Sequence, residues 1–272
     1  MAGLGSVSLR LPVMEGALAV VTGGASGIGR ATAARLAADA YRLAVLDRDG
    51  AGAVDAAGEG GLGVEADVGD AESVEQAIGQ VVKRFGRIDL LVNNAGITGS
   101  RQATTCHQTP LEEWDRVLAV NLRGPFLCSR AALPTMLRQR SGHIVNIVSV
   151  AGMVATPGRC AYTASKGGAL MFTKSLAVDY AAQGIRANAV CPGFVQTPMT
   201  QWRLDDPELR RDVLAGIPAG RTAQPEDIAE VVAMLASERL AYVTGHAFVV
   251  DGGWTASVGM TSAATALADT AG

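Results

Sequence analysis

Residues that bind metal ions or build disulfide frameworks are scarce in this chain of 272 residues. Its four cysteines are far apart with no Cys-x-x-Cys pair, and its three histidines form no ligand pattern with them. Charged residues make up only 18% of the chain, the formal net charge is -3, and the basic residues are dispersed. We therefore predict no metal site, no disulfide framework, no nucleic-acid partner and no anionic-membrane surface, which leaves a small molecule as the expected partner.

The sequence also lacks an apolar run long enough to span a membrane. Residues 141–158 carry no Asp, Glu, Lys or Arg, yet His143, Asn146 and Ser149 interrupt their apolar character. The first 24 residues contain one Arg and one Glu but no signal-like apolar block. We expect a cytoplasmic protein that keeps its N-terminus.

The hydrophobic residues, 49% of the chain, instead form short β-branched runs between alanine-rich stretches with helical periodicity. This alternation predicts an α/β fold in which helices cover both faces of a doubly wound, seven-stranded parallel sheet. No linker rich in Pro, Gly or Ser divides the chain, so we expect a single domain over 1–272, with a core from about 14 to 254, a substrate lid helix within 198–224 and a tail at 255–272. The expected strands are 17–22, 42–47, 63–67, 88–94, 142–149, 185–191 and 246–251.

Glycines cluster directly after the first strand, in the segment VVTGGASGIGR at 20–30. Glycines let a backbone turn sharply and approach a pyrophosphate, whose charge is met by the N–H groups at the start of the next helix. The spacing differs from the general Gly-x-Gly-x-x-Gly fingerprint, so a simple strand-to-helix turn is the alternative. On the first interpretation the loop is a Rossmann-type dinucleotide site with contacts from Gly23, Ser26, Gly27, Ile28 and Gly29.

Asp47 ends the second strand, where a carboxylate accepts hydrogen bonds from a ribose 2′-hydroxyl and repels a 2′-phosphate. No Lys or Arg lies between Gly23 and Gly29, so we expect NAD(H) in preference to NADP(H). Arg48 leaves an alternative open, because its guanidinium either pairs with Asp49 in solvent or swings to accept a phosphate.

Six motifs occur in order along the chain: TGGASGIG, NNAG at 93–96, Asn121 in VNLRG, Ser149, YTASK at 162–166 and PGFVQT at 192–197. Together they resemble the short-chain dehydrogenase/reductase family, over about residues 14 to 254. The resemblance implies a nicotinamide cofactor, hydride transfer between a secondary alcohol and a ketone, and assembly as a homotetramer. It also implies a catalytic tetrad of Asn121, Ser149, Tyr162 and Lys166.

Tyr162 and Lys166 are one helical turn apart. A free phenol has a pKa of about 10, so a tyrosine that exchanges protons near neutrality needs a pKa lower by roughly three units. An ammonium on the same helical face favours the phenolate. A solvated helix face is the usual alternative for such a pair. The resemblance adds that Lys166 also holds the hydroxyls of the nicotinamide ribose.

Ser149 ends the fifth strand, at the carboxyl edge where open α/β sheets bind ligands. Its hydroxyl is expected to stabilise charge on the substrate oxygen, and a helix N-cap is the alternative. Asn121 interrupts an apolar helical pattern, so its amide either bonds backbone at a kink or holds a water that connects Lys166 to solvent. The resemblance implies the second role.

The resemblance implies further cofactor contacts in three places. Residues after the third strand resemble adenine contacts, the NNAG turn lies beneath the adenosine ribose, and PGFVQT recognises the nicotinamide carboxamide. A Pro-Gly turn after a strand is the alternative for the last segment. In that order the contacts are Asp67 and Val68; Asn94, Ala95 and Gly96; and Pro192, Gly193, Val195 and Thr197.

Three stretches, 98–108, 150–160 and 194–221, are expected to line the substrate pocket. Within them Arg101, Arg159 and Arg203 either meet an anionic substrate or are surface charges. The leading hypothesis is an NAD(H)-dependent oxidoreductase for a small alcohol or ketone, with Tyr162 as acid and base. The alternatives are an NADPH-dependent 3-oxoacyl reductase, which Asp47 disfavours, and a non-catalytic dinucleotide-binding sensor or scaffold, which the intact tetrad disfavours.

Overall fold

The structure, a computed structural model, describes residues 16–102 and 104–256. Within them, seven strands form one parallel sheet in the order β3-β2-β1-β4-β5-β6-β7. The predicted fold class is confirmed, although the third, fourth and fifth strands end earlier than expected. The strands are β1 (Leu18–Thr22), β2 (Arg42–Asp47), β3 (Leu62–Glu65), β4 (Leu90–Asn93), β5 (Gly142–Ile147), β6 (Ile185–Pro192) and β7 (Ala247–Val250).

Helices cover both faces of the sheet, because successive strand residues point to opposite sides. Leu18 and Val20 of β1 join a core that includes residues of α3, α5 and α6, whereas Ala19 and Val21 join a second core with α1, α2 and α9. The helices of the described residues are α1 (Gly27–Ala38), α2 (Gly50–Ala57), α3 (Ala71–Phe85), α4 (Leu111–Leu118), α5 (Gly124–Gln139), α6 (Cys160–Tyr180), α7 (Gln201–Asp205), α8 (Pro207–Ala215) and α9 (Pro225–Ala236).

The lid differs from the single helix that we predicted. Pro207 lacks an N–H and fixes its own φ, so it ends one helix and begins the next. Asp206 caps the second helix by accepting hydrogen bonds from the N–H groups of Glu208 at 2.9 Å and Leu209 at 3.1 Å. The lid therefore consists of two short helices, α7 and α8. Neither contains a buried residue.

The chain direction brings the predicted motifs to one edge of the sheet. Strand order reverses between β1 and β4, and in open α/β sheets the crevice at the carboxyl ends of such strands is where ligands bind. No helix of the described residues is long and apolar enough to cross a bilayer. The predicted tail, apart from residues 255 and 256, lies outside the described residues, as do residues 1–15.

Candidate active site

A cavity of about 340 Å³ opens at the carboxyl ends of β1, β2, β4 and β5. All but two of the predicted site residues line it, and the exceptions are Gly29 and Asn121. The lining residues that the sequence predicted are Gly23, Ser26, Gly27, Ile28, Asp47, Asp67, Val68, Asn94, Ala95, Gly96, Ser149, Tyr162, Lys166, Pro192, Gly193, Val195 and Thr197.

The glycine loop packs too tightly against its neighbours for side chains. Gly23 has a φ of +64°, and a Cβ placed there would lie 2.8 Å from the Cα of Ala95. A Cβ at Gly29 would lie 2.1 Å from the carbonyl oxygen of Gly23. Gly29 therefore lies beneath the loop instead of lining the cavity. A bare-backbone cradle at a helix start is the structure that a pyrophosphate requires.

Asn94 ties this loop to the neighbouring strands. Its amide nitrogen donates to the carbonyl oxygens of Thr22 at 3.0 Å and Gly23 at 2.9 Å. The Thr22 hydroxyl accepts from the backbone N–H groups of Asn94 and Ala95, both at 3.1 Å. The Asn94 side chain is thus occupied in shaping the loop. Thr22 was missed by sequence reasoning, and its position as a polar residue at the end of an apolar strand was the available signal.

Asp47 links the end of β2 to the same loop. One carboxylate oxygen accepts from the N–H of Ala25 and the other from the N–H of Asp49, both at 3.0 Å. A carboxylate has about four acceptor sites, so each oxygen keeps capacity for a ribose hydroxyl. Arg48, 81% exposed, lies 3.9 Å from Asp67. The carboxylate beside Arg48 in this structure is therefore Asp67 and not the predicted Asp49, while the acceptance of a phosphate by Arg48 stays a prediction.

Lys166 and Tyr162 lie close together, as their spacing on α6 predicts. The Nζ atom of Lys166 is 5.9 Å from the centroid of the Tyr162 ring. It donates to the carbonyl oxygen of Ile147 at 3.0 Å. Only 5% of Lys166 is exposed, and this burial lowers its pKa to about 8. The alternative of a solvated helix face is excluded for Lys166.

The pKa of Tyr162 departs from our expectation. Burial raises it above the ordinary value, while a hydrogen bond with Ser149 and the positive charge of Arg203 act in the opposite direction. Burial penalises the phenolate more than these two groups stabilise it. The net direction for the chain without a cofactor is thus opposite to the expected lowering, and Arg203 is a cation near the phenol that the sequence did not indicate.

Ser149 caps a short turn, as its alternative interpretation expected, and it also lines the cavity, while its contact with a substrate oxygen stays a prediction. It follows β5, lines the cavity and shares a hydrogen bond with Tyr162. Its Oγ atom also accepts from the N–H of Ala151 at 3.1 Å, which caps a short 3₁₀ turn.

Asn121 lies in a π-helical turn, Ala119–Arg123, that joins α4 to α5. Its amide nitrogen donates to the carbonyl oxygen of Ile97 at 2.8 Å and to Ser165 Oγ at 3.1 Å. Its amide oxygen accepts from the N–H of Ile97 at 2.8 Å. Both amide hydrogens are used, so the side chain bonds backbone at a kink, the first of the two predicted alternatives. Gly96 lies between Asn121 and Lys166.

Sequence reasoning missed several residues that line the cavity. Most of them directly precede or follow predicted site residues at strand ends, so their place in the chain was the available signal. They are Leu46, Ala66, Ile97, Val120, Ile147 and Val148. Four further lining residues, Thr98, Pro198, Met199 and Thr200, fall within the stretches that were expected to line the substrate pocket.

The arginines of the predicted substrate stretches lie at the lid side of the site. Arg159 is only 9% exposed and is therefore not a surface charge. Its guanidinium donates to the carbonyl oxygens of Ser100, of Arg101 at 3.0 Å and of Gln102 at 3.5 Å. Arg203 is partly buried, and burial together with the charge of Arg159 lowers its pKa. No carboxylate of the described residues forms an ion pair with Arg159 or Arg203.

No group of three or more His, Cys, Asp or Glu side chains within 16–102 and 104–256 is arranged to hold a metal ion. The site is thus a glycine-loop cradle that ends at a cluster of Ser149, Tyr162 and Lys166, of which the serine and the lysine are buried and the tyrosine is half-buried. A protein-family profile described as enoyl-(acyl carrier protein) reductase matches residues 23–255. The chain belongs to the short-chain dehydrogenase/reductase family, whose members bind a nicotinamide dinucleotide, and it is an oxidoreductase that acts on alcohol or ketone groups.

Two curated relatives match nearly the whole chain. The 2-(R)-hydroxypropyl-CoM dehydrogenase of Xanthobacter autotrophicus is 52% identical over 88% of this chain and 98% of its own. A 3-oxoacyl-[acyl-carrier-protein] reductase of Synechocystis sp. is 42% identical over 87% and 96%. Among solved structures, that of gox2181 matches with a TM-score of 0.86 and 36% identity over 90% of this chain and 97% of that one.

Proposed function

We propose that the chain is an NAD(H)-dependent dehydrogenase that interconverts a secondary alcohol and a ketone on a small substrate with an anionic end. The bound nicotinamide supplies or accepts the hydride. The Tyr162 hydroxyl gives or takes the proton at the substrate oxygen, and Ser149 donates a hydrogen bond to that oxygen. Lys166 holds the ribose and favours the phenolate, while Asn121 fixes the turn behind Gly96.

The remaining predicted contacts hold the cofactor in this proposal. The glycine loop, from Gly23 to Gly29, takes the pyrophosphate, since its tight turn needs residues without a Cβ: one at Gly23 would clash with Ala95 and one at Gly29 with Gly23. Asp67 and Val68 border the adenine, and residues 94–96 lie under its ribose. Residues 192–197 meet the carboxamide. In this proposal the residues that hold the cofactor come from several loops at one edge of the sheet.

Asp47 supports NAD(H) over NADP(H). Its carboxylate is held at the end of β2 by two backbone N–H groups, where a 2′-phosphate would meet its negative charge. Arg48 lies beside Asp67, and the nearest arginine of the loop, Arg30, pairs with Asp55. Neither arginine is free of a carboxylate to receive a phosphate.

We expect wild-type kcat/KM to favour NADH over NADPH, and Asp47→Ala to narrow this preference by roughly 10-fold or more, since a hydrogen bond to a charged group is lost. Steady-state kinetics with both cofactors measures it. Asp49→Ala is the matched control, because the Asp49 side chain instead caps α2 by accepting from the N–H of Gly52 at 2.9 Å. A wild-type preference for NADPH would contradict the assignment.

The observation that carries the substrate proposal is the arginine pair beside Tyr162. Two like charges at a partly buried site repel each other, and an anion placed between them relieves the repulsion. The Xanthobacter autotrophicus relative acts, by its name, on a 2-hydroxypropyl group attached to CoM, a thiol whose other end is a sulfonate. A secondary alcohol joined by a short linker to such an anion suits this site.

We expect Arg203→Met to lower kcat/KM by about 10- to 100-fold for a 2-hydroxypropyl thioether that ends in a sulfonate, because a charge-assisted contact is lost. A thioether of equal length that ends in a hydroxyl should lose much less. Arg211→Met, an exposed arginine of α8, is the control. Equal losses on both substrates would mean that Arg203 acts on Tyr162 alone and not on an anion.

A 3-oxoacyl reductase is the second candidate function, favoured by the Synechocystis relative. That substrate is attached to a carrier protein, so its enzyme needs an open path for a long thioester arm. In this chain Arg159 and Arg203 occupy the lid side of the site. A non-catalytic sensor or scaffold is disfavoured because Ser149, Tyr162 and Lys166 all line the same cavity.

We also propose a homotetramer in the cytoplasm, as expected above. Apolar side chains on the outer faces of α5 and α6 support assembly, since Phe126, Met171 and Val178 are 47%, 59% and 81% exposed. Such residues on two long neighbouring helices suit packing against a second copy.

A further inference from the structure

The lid has little packing to hold it in place. Its helices α7 and α8 contain no buried residue, and α7 has only five residues. Segments with few buried apolar contacts open with little free energy. Specific contacts must therefore keep α7 against the body of the protein.

Trp202 of α7 makes such a contact with two arginines. The guanidinium carbon of Arg203 lies 5.0 Å from the indole centroid, and that of Arg101 lies 5.8 Å from it. Cations within about 6 Å of an indole are attracted to its ring. Arg203 is the next residue along the lid, so its contact is local. Arg101 comes from the loop that follows β4, so its contact joins the lid to another part of the fold.

The loop that carries Arg101 is itself anchored. The carbonyl oxygens of residues 100–102 accept hydrogen bonds from the guanidinium of Arg159. The N–H of Ser100 donates to a carboxylate oxygen of Glu113 at 3.1 Å. The N–H of Thr104 donates to the carbonyl oxygen of Gly158 at 3.2 Å. Gly158 and Arg159 lead directly into α6, which carries Tyr162. The loop backbone is thereby fixed to the start of the catalytic helix.

We propose that Arg101 is a positioning residue that holds the lid to this anchored loop through Trp202, and so keeps Arg203 beside Tyr162. The contact forms a latch of three parts: Arg159 holds the loop, Arg101 reaches from the loop to the indole, and the indole fixes α7. Arg101 has no carboxylate partner in the described part of the chain, so its charge is available to the ring. Only the kinetic test of this proposal rests on the proposed function.

The first test needs no substrate. Amide hydrogen exchange across 199–215 should be about three- to fivefold faster in Arg101→Met than in wild type, since one cation–π contact is lost. Arg101→Lys keeps a cation and should restore most of the protection. Arg130→Met, an exposed arginine of α5, should leave exchange in the lid unchanged. Unchanged lid exchange in Arg101→Met would overturn the latch.

The second test is a double-mutant cycle between Arg101→Met and Trp202→Leu. In the wild-type background, Arg101→Met should raise KM for the sulfonate-ended thioether about three- to fivefold with a smaller change in kcat. In the Trp202→Leu background the same change should have no further effect. An undiminished effect would mean that Arg101 acts as a simple surface charge and would overturn the proposal. If wild type turns over no anionic substrate while the exchange results hold, the proposed function fails and the latch stands.

Discussion

Replacing Tyr162 by Phe should lower kcat by about 10²- to 10⁴-fold, the usual contribution of a general acid or base. The substitution removes only the phenolic hydroxyl, which shares a hydrogen bond with Ser149 and lies near the charge of Arg203. The ring remains to fill the same space. NADH should therefore bind with nearly wild-type affinity, as measured by fluorescence titration, while steady-state kinetics records the loss of turnover.

Tyr180→Phe is the matched control for this experiment. Tyr180 ends the same helix, α6, and packs against the core without lining the cavity. It should keep wild-type kcat. If Tyr162→Phe also kept wild-type kcat, another group would have to supply the proton, and the proposed acid and base would be wrong.

The direction of the Tyr162 pKa explains why the proton transfer depends on the assembled site. Burial disfavours the phenolate, so neither the tyrosine nor its spacing from Lys166 creates a base at neutral pH. Opposing contributions come from Ser149 on β5 and Arg203 on the lid. A bound oxidised nicotinamide adds a further positive charge. The proposed catalysis thus depends on residues that are far apart in the sequence and meet at the Tyr162 hydroxyl.

Features that depend on local sequence were predictable. The strand runs, the glycine loop and the carboxylate at the end of β2 each carry their signal within a few residues, because backbone turns and strand periodicity are local. The spacing of Tyr162 and Lys166 on one helix was equally informative. The sequence therefore predicted the sheet, and all but two of the site residues that it predicted line the cavity.

Features that depend on distant partners were not predictable. Arg159 looks like a surface charge in the sequence because the carbonyl oxygens that hold it belong to residues 100–102. The hydrogen bond that Lys166 donates could not be predicted, because nothing nearby in the sequence indicates that the carbonyl oxygen of Ile147 will accept it. The sequence allowed the Asn121 amide either to bond backbone at a kink or to hold a water molecule. Only its contacts with Ile97 and Ser165 distinguish these two roles.

Burial of Lys166 should make the stability of the protein depend on pH in an unusual direction. Its pKa is about 8 in the folded chain against an ordinary value of 10.5, a difference that corresponds to roughly 3 kcal/mol. Below pH 8 both states hold the proton, and folding carries the full cost of a buried ammonium. Between about pH 8 and 10.5 the unfolded chain holds a proton that the folded chain has lost, so the free energy of unfolding rises with pH.

Lys166→Met should remove this rise. Urea unfolding of wild type and variant at intervals from pH 7 to 10.5 should show the wild-type free energy of unfolding gaining about 3 kcal/mol relative to the variant across that window. The difference between the two proteins cancels the titration of other groups. At pH 7 the free energy of unfolding of the variant should exceed that of wild type by less than this amount, because the carbonyl oxygen of Ile147 loses its hydrogen bond.

Lys174→Met is the matched control, since Lys174 is an exposed lysine of the same helix and its loss should leave the wild-type pH dependence intact. A Lys166→Met variant that follows the wild-type curve at every pH would mean that the ammonium is not desolvated in the folded chain. The variant should also lose turnover, because in the proposed function the same ammonium holds the nicotinamide ribose beside Tyr162. Loss of activity together with a gain in stability at low pH is the behaviour expected of a charge retained for function.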